Sequence, residues 1–408
     1  MGGDMTGFAL NPRAVGIEEE GAFAVLDRAL ALKAAGRPII NLGIGQPDFD
    51  PPGHVLEAAA KASREGPHGY TSPVGMPALR EAVAADLTGR FGVGVHADEV
   101  VIVPGGKVTI FLAAMLFGGE GAEILYPDPG FPPYREAIAF SGAKAVPYPI
   151  REDRDFGFDA EEVLSLVTPA TRLVIVNSPA NPTGGVVPRA ELDALAAGLE
   201  SHPHVAVLSD EIYSHLVYDD ADFASLLAYP SLRDRVILLD GWSKTFAMTG
   251  WRLGYGVWPK ALVPQIRKII TITHSCVANV AQIAGLAAVT GPREPVERFR
   301  RTFAERREAV VAGLNALPGV SCRAPGGAFY AFPNVTGTGL SSAELAERLL
   351  EEADIALIPG ESFGANGRGY LRLSYAADMA EIEEALARMG EFLAVNGRSK
   401  EEAMPGTR

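Results

Sequence analysis

A lysine placed among apolar residues is the part of this 408-residue sequence best suited to covalent chemistry. Lys244 follows the apolar run Val236–Leu239, which predicts a short buried strand, and it has Trp242 and Phe246 beside it. Poor solvation lowers the pKa of an ammonium group, so the neutral amine becomes available to form a Schiff base. Arg252, eight residues further on, could bind an anion such as a phosphate. A surface lysine with a structural arginine is the alternative that this stretch leaves open.

Other candidate residues also follow predicted strands. The turn Gly105–Lys107 precedes a helix, where free N–H groups and close backbone approach suit a phosphate. Asp210 follows the apolar run Val205–Leu208, and a carboxylate at a buried strand end needs a partner. Arg372 alternates with apolar residues, and its guanidinium could grip a carboxylate through two parallel hydrogen bonds. Each of these residues also has a structural alternative. The Gly105–Lys107 turn could simply connect a strand to a helix, Asp210 could cap a helix, and Arg372 could be an exposed strand residue.

The elements that must position these residues alternate between short apolar strands and helices. The predicted strands are Val100–Val103, Glu123–Tyr126, Ala145–Tyr148, Leu173–Val176, Val205–Leu208 and Val236–Leu239. The predicted helices include Met76–Arg90, Val108–Phe117, Pro132–Phe140, Arg189–Leu199 and Leu262–Ile272. This alternation indicates an α/β fold with a mostly parallel sheet covered on both faces. Ligands of such sheets bind outside the carboxyl ends of the strands, so we expect the candidate residues to share one pocket.

The pattern changes after Gly291, where helices mix with non-contiguous strands. The predicted strands of this region are Val320–Arg323, Gly327–Phe332, Ala356–Ile358 and Tyr370–Ser374, and the predicted helices are Pro295–Leu317, Ala343–Glu352 and Met379–Val395. This arrangement predicts a smaller α+β domain.

The run Ser243–Tyr255, with sequence SKTFAMTGWRLGY, resembles the cofactor-lysine signature of the class I/II aminotransferases. These are pyridoxal-phosphate (PLP) enzymes of fold type I, the aspartate aminotransferase fold. The run Asn177–Gly184 resembles the Asn-Pro-Thr-Gly signature of the same family, and the resemblance extends over roughly residues 41–375. It implies a large domain with a mostly parallel seven-stranded sheet and a smaller α+β domain. The implied division is a segment 1–50 that packs with the small domain, a PLP-binding domain 51–291, a small domain 292–396 and a disordered tail 397–408.

The resemblance implies a chemical role for each matching residue. Lys244 would form the Schiff base with PLP and later move a proton on the substrate. Asp210 would pair with the protonated pyridine nitrogen and keep the ring an electron sink, while Asn181 and Tyr213 would donate to its phenolic oxygen. Arg372 would hold the α-carboxylate of the substrate.

The same resemblance assigns further contacts with the cofactor and the substrate. Residues that would bind the phosphate are Gly105, Gly106, Lys107, Ser243 and Arg252. Phe131 would stack on the ring, and Gly45, like Asn181, would lie against bound substrate. Tyr70 would reach the phosphate site of a neighbouring subunit, which makes a homodimer with shared active sites the expected assembly.

The implied activity is transfer of an amino group between an L-amino acid and a 2-oxo acid in two half-reactions. The sequence departs from parts of the family at Gly241, where some members have a serine, and in Thr271–Asn279, which lacks the arginine of dicarboxylate-specific members. Lys107 occupies a position where a related subgroup reads a side-chain carboxylate, so an acidic substrate is slightly favoured. The alternatives are a PLP-dependent carbon–sulfur β-lyase, a non-enzymatic PLP-binding regulator and a dinucleotide-dependent dehydrogenase. A regulator of this kind usually carries an appended DNA-binding domain, which we do not expect in this sequence. A dehydrogenase would need a G-x-G-x-x-G fingerprint between a strand and a helix, and the sequence has none.

Composition narrows the class of protein further. The net charge of −14 argues against nucleic acid or an anionic membrane as the main partner. No stretch has the ~20 consecutive apolar residues of a membrane span. Cys276 and Cys322 are the only cysteines, so we expect neither a disulfide framework nor a cysteine-based zinc site. A reducing cytoplasm is the expected location.

Overall fold

The computed structural model describes residues 9–18, 21–219 and 221–396. Its strands are β1 (Ile40–Asn41), β2 (Val100–Val103), β3 (Glu123–Asp128), β4 (Lys144–Pro149), β5 (Thr171–Asn177), β6 (Ala206–Asp210), β7 (Val236–Gly241), β8 (Gly254–Val257), β9 (Tyr330–Ala331), β10 (Ile355–Ala356), β11 (Ile358–Pro359) and β12 (Leu371–Ser374).

The helices in the first half of the chain are α1 (Pro12–Val15), α2 (Gly21–Ala34), α3 (Gly53–Glu65), α4 (Pro77–Phe91), α5 (Lys107–Phe117), α6 (Pro133–Ser141), α7 (Ala160–Ser165) and α8 (Arg189–Leu199). Those that follow are α9 (Trp242–Thr245), α10 (Val263–Thr273), α11 (Asn279–Thr290), α12 (Glu294–Ala316), α13 (Ser342–Glu352) and α14 (Met379–Asn396). In the described part of the chain, no helix combines the length and apolar character that crossing a membrane requires.

A seven-stranded sheet forms the centre of the molecule, with strand order β2-β8-β7-β6-β5-β3-β4. Neighbouring strands are parallel from β4 through β3, β5 and β6 to β7, whereas β8 runs antiparallel to both β7 and β2. The prediction of a mostly parallel seven-stranded sheet between helices is therefore confirmed. Because β8 is reversed, its first residue lies at the same sheet edge as the carboxyl ends of the parallel strands.

Successive residues of the central strands enter two separate cores, one on each face of the sheet. Ile102, Val174 and Leu238 belong to one core, while their chain neighbours Val103 and Ile175 belong to the other. Side chains of a strand alternate between its faces, so a strand covered by helices on both sides must be apolar throughout. This explains why these strands read as continuous apolar runs in the sequence.

The C-terminal part of the chain forms a third core around a three-stranded antiparallel sheet of order β11-β12-β9. The 23-residue helix α12 leads into it and packs against α14. Strand β1, from the beginning of the chain, pairs in parallel with β10, so Ile40 lies opposite Ile355. The segment before the large sheet therefore packs against the C-terminal part.

The structure corrects some of the expected elements. The predicted strand Val320–Arg323 is wrong, because Ser321 forms only an isolated bridge with Asn334. Helices α1, α3, α7, α9 and α11 were not predicted. Helix α11 is built mainly from small and apolar residues, so it has no polar face to mark a helical period. The expected disordered tail 397–408 lies outside the described residues.

Candidate active site

The candidate residues gather at the carboxyl edge of the central sheet. The turn 105–107 follows β2, Phe131 follows β3, Asn181 follows β5 and Lys244 follows β7. Asp210 is the last residue of β6. Arg252 precedes the reversed strand β8, and its loop therefore returns to the same edge. The topology alone thus brings six separate stretches of sequence to one place.

Asp210 is a buried carboxylate, with 3% of its surface exposed. It accepts hydrogen bonds from the Tyr134 hydroxyl at 2.7 Å and from the backbone N–H of Ile212 at 3.3 Å. Burial raises the pKa of Asp210 to about 6, although these hydrogen bonds and the charge of Lys244 act in the opposite direction. A cationic ligand group beside this carboxylate would offset the cost of burying its charge.

Lys244 and Arg372 both donate to the backbone of one short segment, residues 43–45. The Lys244 ammonium donates to the carbonyl oxygen of Gly45 at 2.5 Å, and the Arg372 guanidinium donates to the carbonyl of Gly43. Arg372 is only 2% exposed, and its Nη1 donates to the side-chain oxygen of Asn181 at 3.0 Å. Its Nε has no hydrogen-bond partner among the described residues. A buried guanidinium with a spare donor is suited to a carboxylate ligand.

Tyr213 lies next to a tyrosine that the sequence reasoning did not select. The hydroxyls of Tyr213 and Tyr330 are 2.8 Å apart, and the guanidinium of Arg372 lies 4.8 Å from the centre of the Tyr330 ring. A Cβ atom at Gly45 would lie only 2.0 Å from the Tyr330 hydroxyl, so only glycine fits there. Tyr330 thus packs against three of the predicted residues.

Tyr134 and Asn177 are further site residues that were missed. Tyr134 donates to Asp210, and the Asn177 side chain donates to the Asp210 carbonyl at 3.0 Å while accepting from the Asn181 N–H at 2.9 Å. Asn177 begins the run 177–184 that contains Asn181, and Tyr134 lies three residues after Phe131. Tyr330 lies in the predicted strand Gly327–Phe332, which was its only signal in the sequence. Their contacts depend on packing between segments that are distant in the chain, and the spacing of residues along the sequence does not predict such packing.

A candidate anion site lies where the turn after β2 meets Arg252. Gly105 has φ +93°, and a Cβ there would lie 2.2 Å from Nη2 of Arg252. Gly106 precedes α5, an 11-residue helix whose free N–H groups suit an anion. Ser243, on α9, is buried next to Lys244. A glycine with positive φ is required here because it alone lets the arginine approach.

Lys107 and Phe131 lie together, with the Lys107 ammonium 5.1 Å from the centre of the Phe131 ring. Lys107 also borders a cavity of about 410 Å³ whose walls are mostly apolar, Phe111 among them, but include the carboxylates of Glu18 and Glu136. This cavity lies against helices α5 and α6 and is large enough for a side chain.

Tyr70, which was expected to reach the site of a neighbouring subunit, is 92% exposed, whereas Asp210, Asn181 and Arg372 are buried. Gly241 cannot be replaced by serine without a backbone shift, because a Cβ there would lie 2.8 Å from the Cα of Gly254. The departure at Gly241 therefore has a steric cause in the packing of β7 against β8.

Comparison with known proteins shows extensive similarity. Residues 37–389 match the family of class I and II aminotransferases. An aspartate aminotransferase from Pyrococcus horikoshii is 38% identical over 87% of this chain and 90% of its own length. An aromatic-amino-acid aminotransferase from Thermococcus litoralis is 37% identical over 87% of this chain and 92% of its own.

Solved structures agree with these matches. An aspartate aminotransferase from Rhizobium meliloti superposes with a TM-score of 0.91 and 34% identity, covering 95% of this chain and 99% of that one. The structure of an aspartate aminotransferase from Thermus thermophilus with maleate gives a TM-score of 0.90 and 34% identity, covering 94% and 99%.

The hydrogen bond from Tyr134 to Asp210 predicts a shift in pH dependence. It lowers the pKa of Asp210, so Tyr134→Phe should raise that pKa above its value of about 6. In the cofactor-free protein, the acidic limb of the pH profile of PLP affinity should then move to higher pH by about one unit, because a cationic ring nitrogen needs the ionised carboxylate and one unit is the scale of a hydrogen bond to a charged group.

Tyr148→Phe is the matched control, since Tyr148 is equally buried but donates to the carbonyl of Ile175. An unchanged acidic limb in Tyr134→Phe, or an equal shift in the control, would contradict this role.

Proposed function

Because this chain belongs to the class I and II aminotransferases, we propose that it moves an amino group between an L-amino acid and a 2-oxo acid in two half-reactions, with an acidic amino acid among its substrates. The protein is a PLP-dependent transaminase, as its family is. One observation carries the proposal for its site. Lys244 and Arg372 donate to carbonyls only two residues apart, so a reactive amine and a carboxylate-binding guanidinium face the same small space.

The residues present fit PLP. The buried Asp210 suits a protonated ring nitrogen, and the Gly105–Lys107 turn with Ser243 and Arg252 suits a phosphate. Asn181 and Tyr213 would donate to the phenolic oxygen, Phe131 would stack on the ring, and Lys244 would hold the cofactor covalently. When bound, PLP withdraws electrons from the substrate Cα and so acidifies its proton.

The side chains of the protein would then carry out three tasks. Arg372 binds the α-carboxylate and fixes the orientation of Cα, for which its spare Nε is available. Once the substrate amine has taken its place on the cofactor, Lys244 would remove the proton from Cα as a general base and deliver it, as a general acid, to the C4′ carbon of the cofactor. Asp210 keeps a proton on the ring nitrogen. In a two-half-reaction scheme the first keto acid leaves before the second binds, so plots of reciprocal rate against reciprocal substrate concentration should be parallel.

The chain also divides, we propose, into the segment 1–50, a large domain 51–291 and a small domain 292–396. The seven-stranded sheet lies wholly within residues 100–257, and the pairing of β1 with β10 supports grouping the first segment with the small domain.

Removal of the amine tests the function itself. Lys244→Ala should lower transamination by about a thousandfold or more, because the proton transfer at Cα loses its base. The measurement is keto-acid formation over a panel of L-amino acids with 2-oxoglutarate as acceptor. Lys260→Ala, which removes an exposed lysine paired with Asp98, should keep full activity.

A Lys244→Ala enzyme with normal activity would refute the assignment of Lys244. Release of pyruvate and ammonia by the wild-type enzyme without any keto-acid acceptor would instead identify a carbon–sulfur β-lyase.

An acidic substrate is supported by Lys107 and by the relatives named aspartate aminotransferases, one of which was solved with the dicarboxylate maleate. The apolar cavity beside Lys107 favours the competing view of a large uncharged side chain, as in the aromatic-amino-acid relative. Lys107 contacts Phe131 and also borders the cavity, so its charge can affect which side chain is preferred.

Lys107→Met should therefore reduce kcat/KM for aspartate by about tenfold or more, since a charge-assisted hydrogen bond is lost. The value for phenylalanine should stay the same or rise. Steady-state kinetics with both amino acids measures the ratio, and an equal effect on both would contradict a role in reading the side chain.

A homodimer with shared active sites is the assembly we propose, supported by the 92% exposure of Tyr70 in a single chain. If Tyr70 serves the partner's site, Tyr70→Ala should be strongly impaired, and mixing it with Lys244→Ala should restore activity. Random exchange leaves about a quarter of the sites intact, because half of the dimers are mixed and each has one complete site.

The measurement is activity after co-refolding, compared with the sum of the separate variants. Activity no greater than that sum would show that each chain supplies its own site.

A further inference from the structure

Residues 43–48 form the segment that receives both Lys244 and Arg372. Its first end is fixed where Leu42 donates its N–H to the carbonyl of Ala356 at 3.0 Å and accepts from the N–H of Ser374 at 2.7 Å. Within the described residues, no backbone–backbone hydrogen bond holds residues 43–47 themselves, and the Gly43 N–H donates to the side chain of Asn41 at 2.9 Å. The position of the two acceptor carbonyls therefore depends also on what holds the other end of the segment.

The other end is held by Arg306 of helix α12. Its Nη1 and Nη2 each donate to a different carboxylate oxygen of Asp48, both at 2.7 Å. The side chain of Arg306 is 6% exposed and that of Asp48 is 29% exposed. A paired fork of this kind fixes orientation as well as distance.

Aromatic packing reinforces the same junction. The ring of Phe49 stacks on that of Phe299, with centroids 4.4 Å apart and planes at 4°. The Arg306 guanidinium lies 5.2 Å from the Phe49 ring centre and 5.8 Å from that of Phe303. Because Phe299, Phe303 and Arg306 all belong to α12, this helix holds Asp48 and Phe49 as one unit.

We propose that the Asp48–Arg306 pair is a positioning element for substrate binding, which we call the α12 clamp. It holds the segment 43–48 so that the Gly43 carbonyl keeps the Arg372 guanidinium oriented for the α-carboxylate of the substrate. Neither clamp residue touches the reacting atoms. This inference rests on the proposed role of Arg372.

Helix α12 also offers a matched control. Arg307, the neighbour of Arg306, is similarly buried and pairs with Asp219, a residue that lies outside the segment 43–48. Asp48→Asn and Asp219→Asn each remove one carboxylate charge opposite an arginine of the same helix. Only the first change should affect substrate binding.

The test compares these two variants for KM, kcat and melting temperature in the holoenzyme. Asp48→Asn should raise KM for both the amino donor and the keto acid about tenfold, with a smaller change in kcat, because orientation of the carboxylate-binding group is lost. Titration calorimetry should show a matching loss in affinity for 2-oxoglutarate. Asp219→Asn should leave KM unchanged even if the melting temperature falls equally.

Arg306→Lys keeps the charge but loses the paired fork, so it should raise KM as Asp48→Asn does. KM values near wild type in Asp48→Asn or Arg306→Lys, or an equal rise in Asp219→Asn, would overturn the α12 clamp. Arg372→Lys distinguishes failure of the α12 clamp from failure of the proposed substrate site. A raised KM in Arg372→Lys alone would refute only the clamp, whereas no change in Arg372→Lys would refute the proposed substrate site.

Discussion

Burial of the Asp210 carboxylate is the constraint on which the rest of the site depends. A charge removed from water is costly unless hydrogen bonds and a cation compensate it. Here Tyr134, the Ile212 N–H and the nearby charge of Lys244 compensate only in part, since burial still raises the pKa of Asp210 to about 6. A cationic group beside Asp210, the role that we propose for the ring nitrogen of the cofactor, would complete this compensation, and the neighbouring strands keep the carboxylate in place.

A second carboxylate behind Asp210 adds to this effect. Asp240, near the end of the adjacent strand β7, is also buried, and burial raises its pKa to about 6. Its charge raises the pKa of Asp210 in turn. Asp240 accepts from the Ser214 hydroxyl at 3.0 Å, and the Arg90 guanidinium lies 3.7 Å away. The electrostatics of the site thus extend through the sheet to helix α4, which carries Arg90.

The other half of the site depends on contacts between distant parts of the chain. Segment 43–48 comes from the beginning of the chain, Arg372 and Tyr330 come from its end, and Lys244 comes from the central sheet. Their meeting point is the pair of carbonyls at Gly43 and Gly45. Movement of the C-terminal part relative to the sheet would therefore alter the contacts of Arg372 and Lys244 together.

By itself, the sequence determined the sheet, the membership of the family and the stretches that carry the candidate residues. This was possible because buried strands are locally apolar, and because Lys244, Arg252 and the 177–184 run have types and spacings that are readable along the chain. Only the tertiary structure decided the partners of those residues. The contacts of Tyr134 with Asp210 and of Arg306 with Asp48 join residues 76 and 258 positions apart. Such pairs depend on how helices pack against the sheet and against each other, and neither composition nor local periodicity carries that information.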